Sequence, residues 1–240
     1  MNAVGVVAAL AAEARALGPA AGRMGDVSRL RDGSLLAVSG MGASAAEAAS
    51  LELIEAGASA LMSFGLAGGL DPALLAGSMV FPTEVISRNG RGFLTSTDWR
   101  DRLSAAVRGL GPVSAGKLLS SAQAIDSIAE KAAAFHDTGA VAVDMESLAI
   151  AQVAAAHHLP FVAVRVIVDT AADALPRAVI KASSRGQVRI WRLLGAVALA
   201  PAELGALIRL AGRYRTATRR LADVARAAPP AGLGAQVRAA

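Results

Sequence analysis

The chain has 240 residues, 54% of them hydrophobic and 18% charged, and it contains no cysteine. A chain of that length can bury a core without cross-links, and the lack of thiols excludes a disulfide scaffold, a thiolate nucleophile and a zinc–thiolate site. Net charge is +5, unevenly spread: from Arg185 onward ten arginines meet two acids, a balance of +8, which leaves −3 on residues 1–184.

Aromatic residues are only 3%, so the core must be built from Ala, Val, Leu and Ile. The N-terminus shows no charged segment before an apolar one, and no signal peptide is expected. No uncharged apolar run reaches the about 18 residues of a membrane-spanning helix. Together these features suit one cytoplasmic domain.

Residues 4–9 are apolar and β-prone, a first strand. A short Ala-rich helix carrying Glu13 follows and stops at Gly18-Pro19. Residues 35–39 form a second strand entering the turn Ser39-Gly40-Met41-Gly42, and a helix spans 43–56. Residues 60–64 are a third strand, leading to a second Gly-rich turn over 65–69. Residues 79–85 read as a strand interrupted by Pro82. A helix over 95–110, a strand over 117–121 and a helix over 126–135 come next. Alternation of this kind predicts a layered α/β fold.

The sequence then reaches VAVDMESLAIAQVAAAHHLPFVAVRVIVD, residues 141–169. It reads as strand, helix, strand. The second strand is apolar throughout except for Arg165, as in a strand covered on both faces. Glu146 and Asp169 stand where the two strands stop, which is where open α/β sheets bind ligands. Taken singly, each also fits a helix cap or a turn. The two Gly-rich turns could bring backbone N–H groups close to an anion, but neither matches a P-loop or a dinucleotide fingerprint. His136, His157 and His158 suit helix ends, and with no HExxH pattern no metal site is expected.

Five segments in order carry a resemblance: VGVVAALAAEA, SGMGASAA, SFGLAGGLDPALLAGSMV, VAVDMESLAIAQV and LPFVAVRVIVD. Together they resemble the nucleoside phosphorylase and nucleosidase superfamily, and the 5′-methylthioadenosine/S-adenosylhomocysteine nucleosidases above all. Within it, TGAVAVDMES, LPFVAVRVIVDTAADALP and the basic C-terminal segment look most like the hopanoid-associated phosphorylases. The resemblance implies a three-layer α/β/α sandwich with a central mixed twisted sheet, plus a C-terminal helical extension. It also implies release of adenine from adenosylhopane, a lipid-linked nucleoside. The alternative is a methylthioadenosine/S-adenosylhomocysteine-type nucleosidase or another purine nucleoside phosphorylase.

The same resemblance assigns roles. Asp169 would protonate the departing purine and Glu13 would activate the nucleophile. Glu146 would grip the ribose, with Met145 and Met41 against the sugar. Ile125, Val168, Ala67 and Gly68 would line the purine, and Gly40, Gly42 and Arg165 the anion or nucleophile pocket. Leu66, Ala124 and Val168 stand where relatives carry a serine, an aromatic and a serine, so the site should be less polar and roomier. A carboxylate at Glu13 would repel a phosphate dianion, which favours water, although inorganic phosphate is retained as a potential co-substrate. No other cofactor is expected.

Residues 1–184 are thus read as the catalytic domain, 185–228 as a basic amphipathic extension packed on it, and 229–240 as a frayed tail. The extension reads as two helices, over 188–199 and 201–228, with Trp191 and Tyr214 as interface-type aromatics. Its arginines would also suit peripheral contact with an anionic membrane at the inner face. A nucleic-acid-binding reading explains the basic charge but not the acids at the strand ends. A homodimer is implied by resemblance alone.

Overall fold

The computed structural model describes residues 3–18, 24–174 and 204–234. Among them, eleven strands form one mixed sheet. Its main path runs β2 (Val27–Arg29), β3 (Leu35–Val38), β1 (Ala3–Ala8), β4 (Ala58–Gly69), β10 (Ala140–Asp144), β9 (Lys117–Ser120), β6 (Glu84–Ile86), β7 (Gly92–Leu94). Off this path, β11 (Phe161–Asp169) pairs in parallel with β4, and β5 (Met79–Val80) links β11 to β8 (Val113–Ser114).

Helices cover both faces, and the side-chain alternation of the central strands explains why. Val162, Val164 and Val166 of β11 share a buried cluster with Val4 and Val6 of β1 and with Trp99 and Leu103 of α3 (Thr97–Val107). Phe161, Ala163 and Ile167 point the other way. There they join Ala46, Ala49 and Leu53 of α2 (Ala43–Glu55) and Ile150 and Val153 of α5 (Ser147–Ala156). Period-two alternation with both sets apolar is what a strand sandwiched between helices requires. The architecture is the expected α/β/α sandwich with a C-terminal helix.

The helices start and stop where their end residues dictate. In α4 (Ile128–Thr138) the Ser127 side chain accepts from the Glu130 N–H at 3.2 Å, and Gly139 closes the helix with a left-handed φ of 66°. In α1 (Ala11–Leu17) Glu13 sits in the first turn and accepts from the Leu10 N–H at 2.9 Å. The negative side chain satisfies a donor that the helix itself leaves open.

Three expectations need correction. The residues expected as a Gly-rich turn at 65–69 continue β4, because β11 pairs with them in register almost to their end. The strand expected over 79–85 is two strands, β5 and β6, with Pro82 between them. The expected tail contains α7 (Pro230–Gly234), where the Ala231 N–H donates to Asp32 Oδ2 at 3.0 Å. β2, β7 and β8 went unforeseen; each has only two or three residues, too few to show a period.

The described part of the basic extension is a long helix, α6 (Leu204–Ala227). Its C-terminal half turns its apolar face inward, while Ile208 near its start is 64% exposed. Ala217, Leu221, Val224 and Ala225 belong to the same buried cluster as Val4 and Trp99. The helix expected over 188–199, with Trp191, and the boundary at 184/185 lie outside the described residues. Among the described residues no helix is long and apolar enough to cross a membrane. Because Leu221 is fully buried, Leu221→Ala should lower the unfolding free energy by about 2–5 kcal/mol in urea titration. A change within about 0.5 kcal/mol, typical of surface positions, would contradict this packing.

Candidate active site

The C-terminal ends of β4, β10 and β11 open onto one cavity of about 240 Å³. Its lining includes Glu13, Asp144, Glu146 and Asp169, all buried, together with Leu10, Met41, Leu66, Met145, Val168 and Tyr214. Among the described lining residues there are four carboxylates and no lysine or arginine.

Glu13 reaches the cavity from α1. Its Oε2 accepts from the Leu10 N–H and its Oε1 accepts from the Leu66 N–H of β4 at 2.8 Å. Close approach to β4 needs Gly65: a Cβ there would lie 2.5 Å from Oε1. Burial raises the Glu13 pKa, while the Arg165 charge and the backbone donors oppose it.

Glu146 stands at the N-terminus of α5. It accepts from the Gly42 N–H at 2.8 Å and from the Met145 N–H at 3.2 Å. Gly42 takes a φ of 99°, a backbone state that suits glycine. Burial pushes the Glu146 carboxyl up to about 7, the neighbouring Asp144 adds to the push, and the Gly42 N–H and Arg165 restrain it.

Asp169 ends β11, where the register against β4 shifts and Asp169 lies opposite Gly68. Its Oδ2 accepts from the ammonium of Lys131, a fully buried residue of α4. Burial raises the Asp169 pKa, and Lys131 opposes the rise.

The structure therefore brings Glu13, Glu146, Asp169, Met145, Met41, Ile125, Val168, Ala67 and Gly68 around one cavity. It does not bring Gly40, Gly42 or Arg165 there, and the anion pocket expected from them is corrected. The Gly42 donor is already given to Glu146. Arg165 lies beneath the site, donating to Asp144 Oδ2 at 2.9 and 2.7 Å, to Ser147 Oγ at 2.9 Å and to Ser63 Oγ at 2.5 Å. With those partners its guanidinium is not free to hold an anion.

Three contributors were not foreseen in the sequence. Asp144 is the partner that a buried arginine demands, so Arg165 in an apolar strand was its signal. Lys131 follows an acid in an ordinary helical stretch and gave none. Tyr214, read as an interface aromatic, instead lines the cavity from α6. Its hydroxyl pKa is raised by burial and by the charge of Glu13.

The raised acids have a consequence for stability. The folded Glu146 keeps its proton to higher pH than the unfolded chain does, so its contribution is full below about 4.5 and is lost as pH rises through about 7. In the empty protein, wild-type stability should therefore fall across that window. Glu146→Gln should make the fall shallower, as urea titrations at pH 4.5 and 8 would show.

Comparison with known proteins fits this geometry. The model of the phosphorylase superfamily matches residues 23–198. Among solved structures, the Neisseria meningitidis 5′-methylthioadenosine/S-adenosylhomocysteine nucleosidase in complex with methylthio-immucillin-A superposes with a TM-score of 0.70. The identity is 22%, over 95% of this chain and 98% of that one. Helicobacter pylori futalosine hydrolase gives a TM-score of 0.70 at 15% identity, over 94% and 96% of the two chains. The nucleosidase of Colwellia psychrerythraea 34H in complex with adenine gives 0.62 at 23%, over 70% and 83%. No curated protein matches the chain in sequence. The superfamily match spans well over half of the residues, and the chain belongs to the phosphorylase superfamily.

Proposed function

We propose that the protein hydrolyses the N-ribosidic bond of an adenine nucleoside, releasing adenine, and that its substrate is the lipid-linked adenosylhopane. The observation that carries the reaction type is the convergence of Glu13, Glu146 and Asp169 on one cavity with no lysine or arginine among its described lining residues. A phosphate dianion would want cations and donors there. Water does not, and the N. meningitidis and H. pylori structures of the same fold are named as a nucleosidase and a hydrolase.

The chemistry parallels glycoside hydrolysis, with an acid for the leaving group and a carboxylate on the nucleophile's side. Water attacks C1′ and gives its proton to Glu13. The C1′–N9 bond breaks, and Asp169 donates its proton to N7 of the adenine. Burial raises the pKa of that acid, the direction a proton donor needs. Glu146, once ionised, accepts from the ribose hydroxyls and favours the cationic transition state. Met145 and Met41 pack against the sugar, and Ile125, Val168, Ala67 and Gly68 face the base.

The substrate reading rests on the resemblance to the hopanoid-associated group and on the apolar walls Leu10, Leu66 and Val168. With it goes a homodimer whose exposed Arg209, Arg215, Arg219 and Arg226 meet an anionic inner membrane face. A second reading, a nucleosidase acting on S-adenosylhomocysteine or a similar thioether nucleoside, has its own support. A hollow of about 700 Å³ adjoins the site through Gln123, Ala124, Ile125 and Met145. It is lined by Arg88, Asn89 and Gln152, which suit a polar, carboxylate-bearing tail.

Mass spectrometry of products from adenosylhopane, methylthioadenosine and S-adenosylhomocysteine, with and without phosphate, separates these readings. Adenine should appear from adenosylhopane in phosphate-free buffer, beside a sugar bearing a free anomeric hydroxyl. A strict phosphate requirement would overturn hydrolysis, and preference for S-adenosylhomocysteine would overturn the lipid substrate. Asp169→Asn should cost roughly 10²–10⁴-fold in kcat.

A further inference from the structure

Lys131 has no place in the chemistry described so far, yet it is among the most buried charged side chains of the protein. It lies on α4 and is fully buried. Its nitrogen donates three hydrogen bonds, the full complement of an ammonium: to Asp169 Oδ2, to the Thr170 carbonyl at 2.8 Å and to the Asp173 carbonyl at 2.9 Å. A buried cation costs several kcal/mol to desolvate, so such a group is held only by partners of this quality.

All three acceptors lie on the short stretch that carries Asp169 out of β11. That stretch is braced again from outside. Asp173 Oδ2 accepts from the Thr170 N–H at 2.9 Å and from the Thr170 hydroxyl at 2.7 Å, and it pairs with Arg213 of α6. Among the described residues, no side chain holds the second oxygen of Asp169, Oδ1.

Resting on the nucleosidase reading, we propose that Lys131 is the positioning residue of the general acid. Its ammonium fixes the Asp169 carboxyl through Oδ2, leaves Oδ1 to meet the purine, and stabilises the carboxylate left once the proton has moved to N7. The balance is simple. The C1′–N9 bond breaks and its electron pair goes to the adenine. The proton passes from the Asp169 carboxyl to N7, and the new negative charge forms against a cation already in place. Preorganised charge aimed at a site of developing charge is an effective catalytic device because nothing needs to reorient.

Burial alone would leave Asp169 a weak acid that keeps its proton, and the adjoining cation counters this. The charged groups around Asp169 are Lys131 from α4, Asp173 from the following stretch, and Arg213 from α6, which is paired with Asp173. Removing Lys131 leaves Asp173 to push the same way as burial. The acid should then hold its proton to higher pH while donating it less readily.

The test measures kcat for adenine release from pH 5 to 9 in wild type, Lys131→Met, Lys131→Arg, Asp169→Asn and the Asp169→Asn/Lys131→Met double variant. Lys131→Met should lose roughly 10²-fold, and its alkaline limb should move upward by about one pH unit or more. Lys131→Arg should keep the wild-type limb and lose under tenfold. In the double variant, loss of Lys131 should add under threefold to the loss from Asp169→Asn, since the lysine acts through that carboxyl. Thermal unfolding confirms that each variant folds. Should Lys131→Met fail to fold, Lys131→Gln, which still donates but is neutral, takes its place with the same expected shift. An unmoved alkaline limb, or losses that multiply in the double variant, would overturn the proposal while leaving the nucleosidase reading intact. Wild-type protein inert toward every adenine nucleoside would overturn both.

Discussion

Arg165 occupies the middle of a strand that is otherwise apolar up to its terminal Asp169, and its guanidinium lies with Asp144, Ser63 and Ser147 between the sheet and α5. Its charge restrains the pKa rise of both Glu13 and Glu146. Without it, burial would raise the pKa of both carboxyls further, with Asp144 adding to the rise at Glu146. The pair also ties β10 to β11, the strands whose ends carry Glu146 and Asp169. Removing one member of such a buried pair typically costs about 3–5 kcal/mol, because the other charge stays behind. The carboxylate cluster therefore rests on a cation that never touches the cavity.

The three acids are held in different ways, and the difference matches what each would do. Glu13 and Glu146 are fixed by backbone N–H groups, rigid donors that favour the ionised form. Asp169 is held chiefly by a side-chain cation, with its own backbone N–H beside it. A base and a ribose acceptor begin the reaction charged, whereas an acid begins it protonated. Small residues make the arrangement possible: Gly65 admits Glu13, and Gly68 admits Asp169 within 3.3 Å of where a Cβ would stand.

α6 changes how the basic end of the chain is understood. Helical periodicity with an arginine-rich face is compatible with a membrane surface and with core packing, because both want one apolar stripe. The structure packs α6 against β11 and α1, with Tyr214 at the cavity and Arg213 on Asp173, and leaves Ile208 exposed. The C-terminal helix is thereby part of the site's wall, and it braces the stretch that carries Asp169.

Much of this was legible in the residues. The alternation of elements, the apolar run of β11 with its one arginine, and acids at strand ends follow from local periodicity and end signals, which a sequence displays directly. Glu13, Glu146 and Asp169 could be picked out as a set only through resemblance, since no spacing along the chain links positions 13, 146 and 169. What the fold alone decided was pairing across the chain. It set Lys131 against Asp169, Asp144 against Arg165, and the Gly42 N–H against Glu146 rather than an anion. It also turned a supposed Gly-rich turn into the end of β4. A side chain's partner is fixed by packing in three dimensions, and for residues 38 or 104 positions apart the linear sequence contains no periodic trace of it.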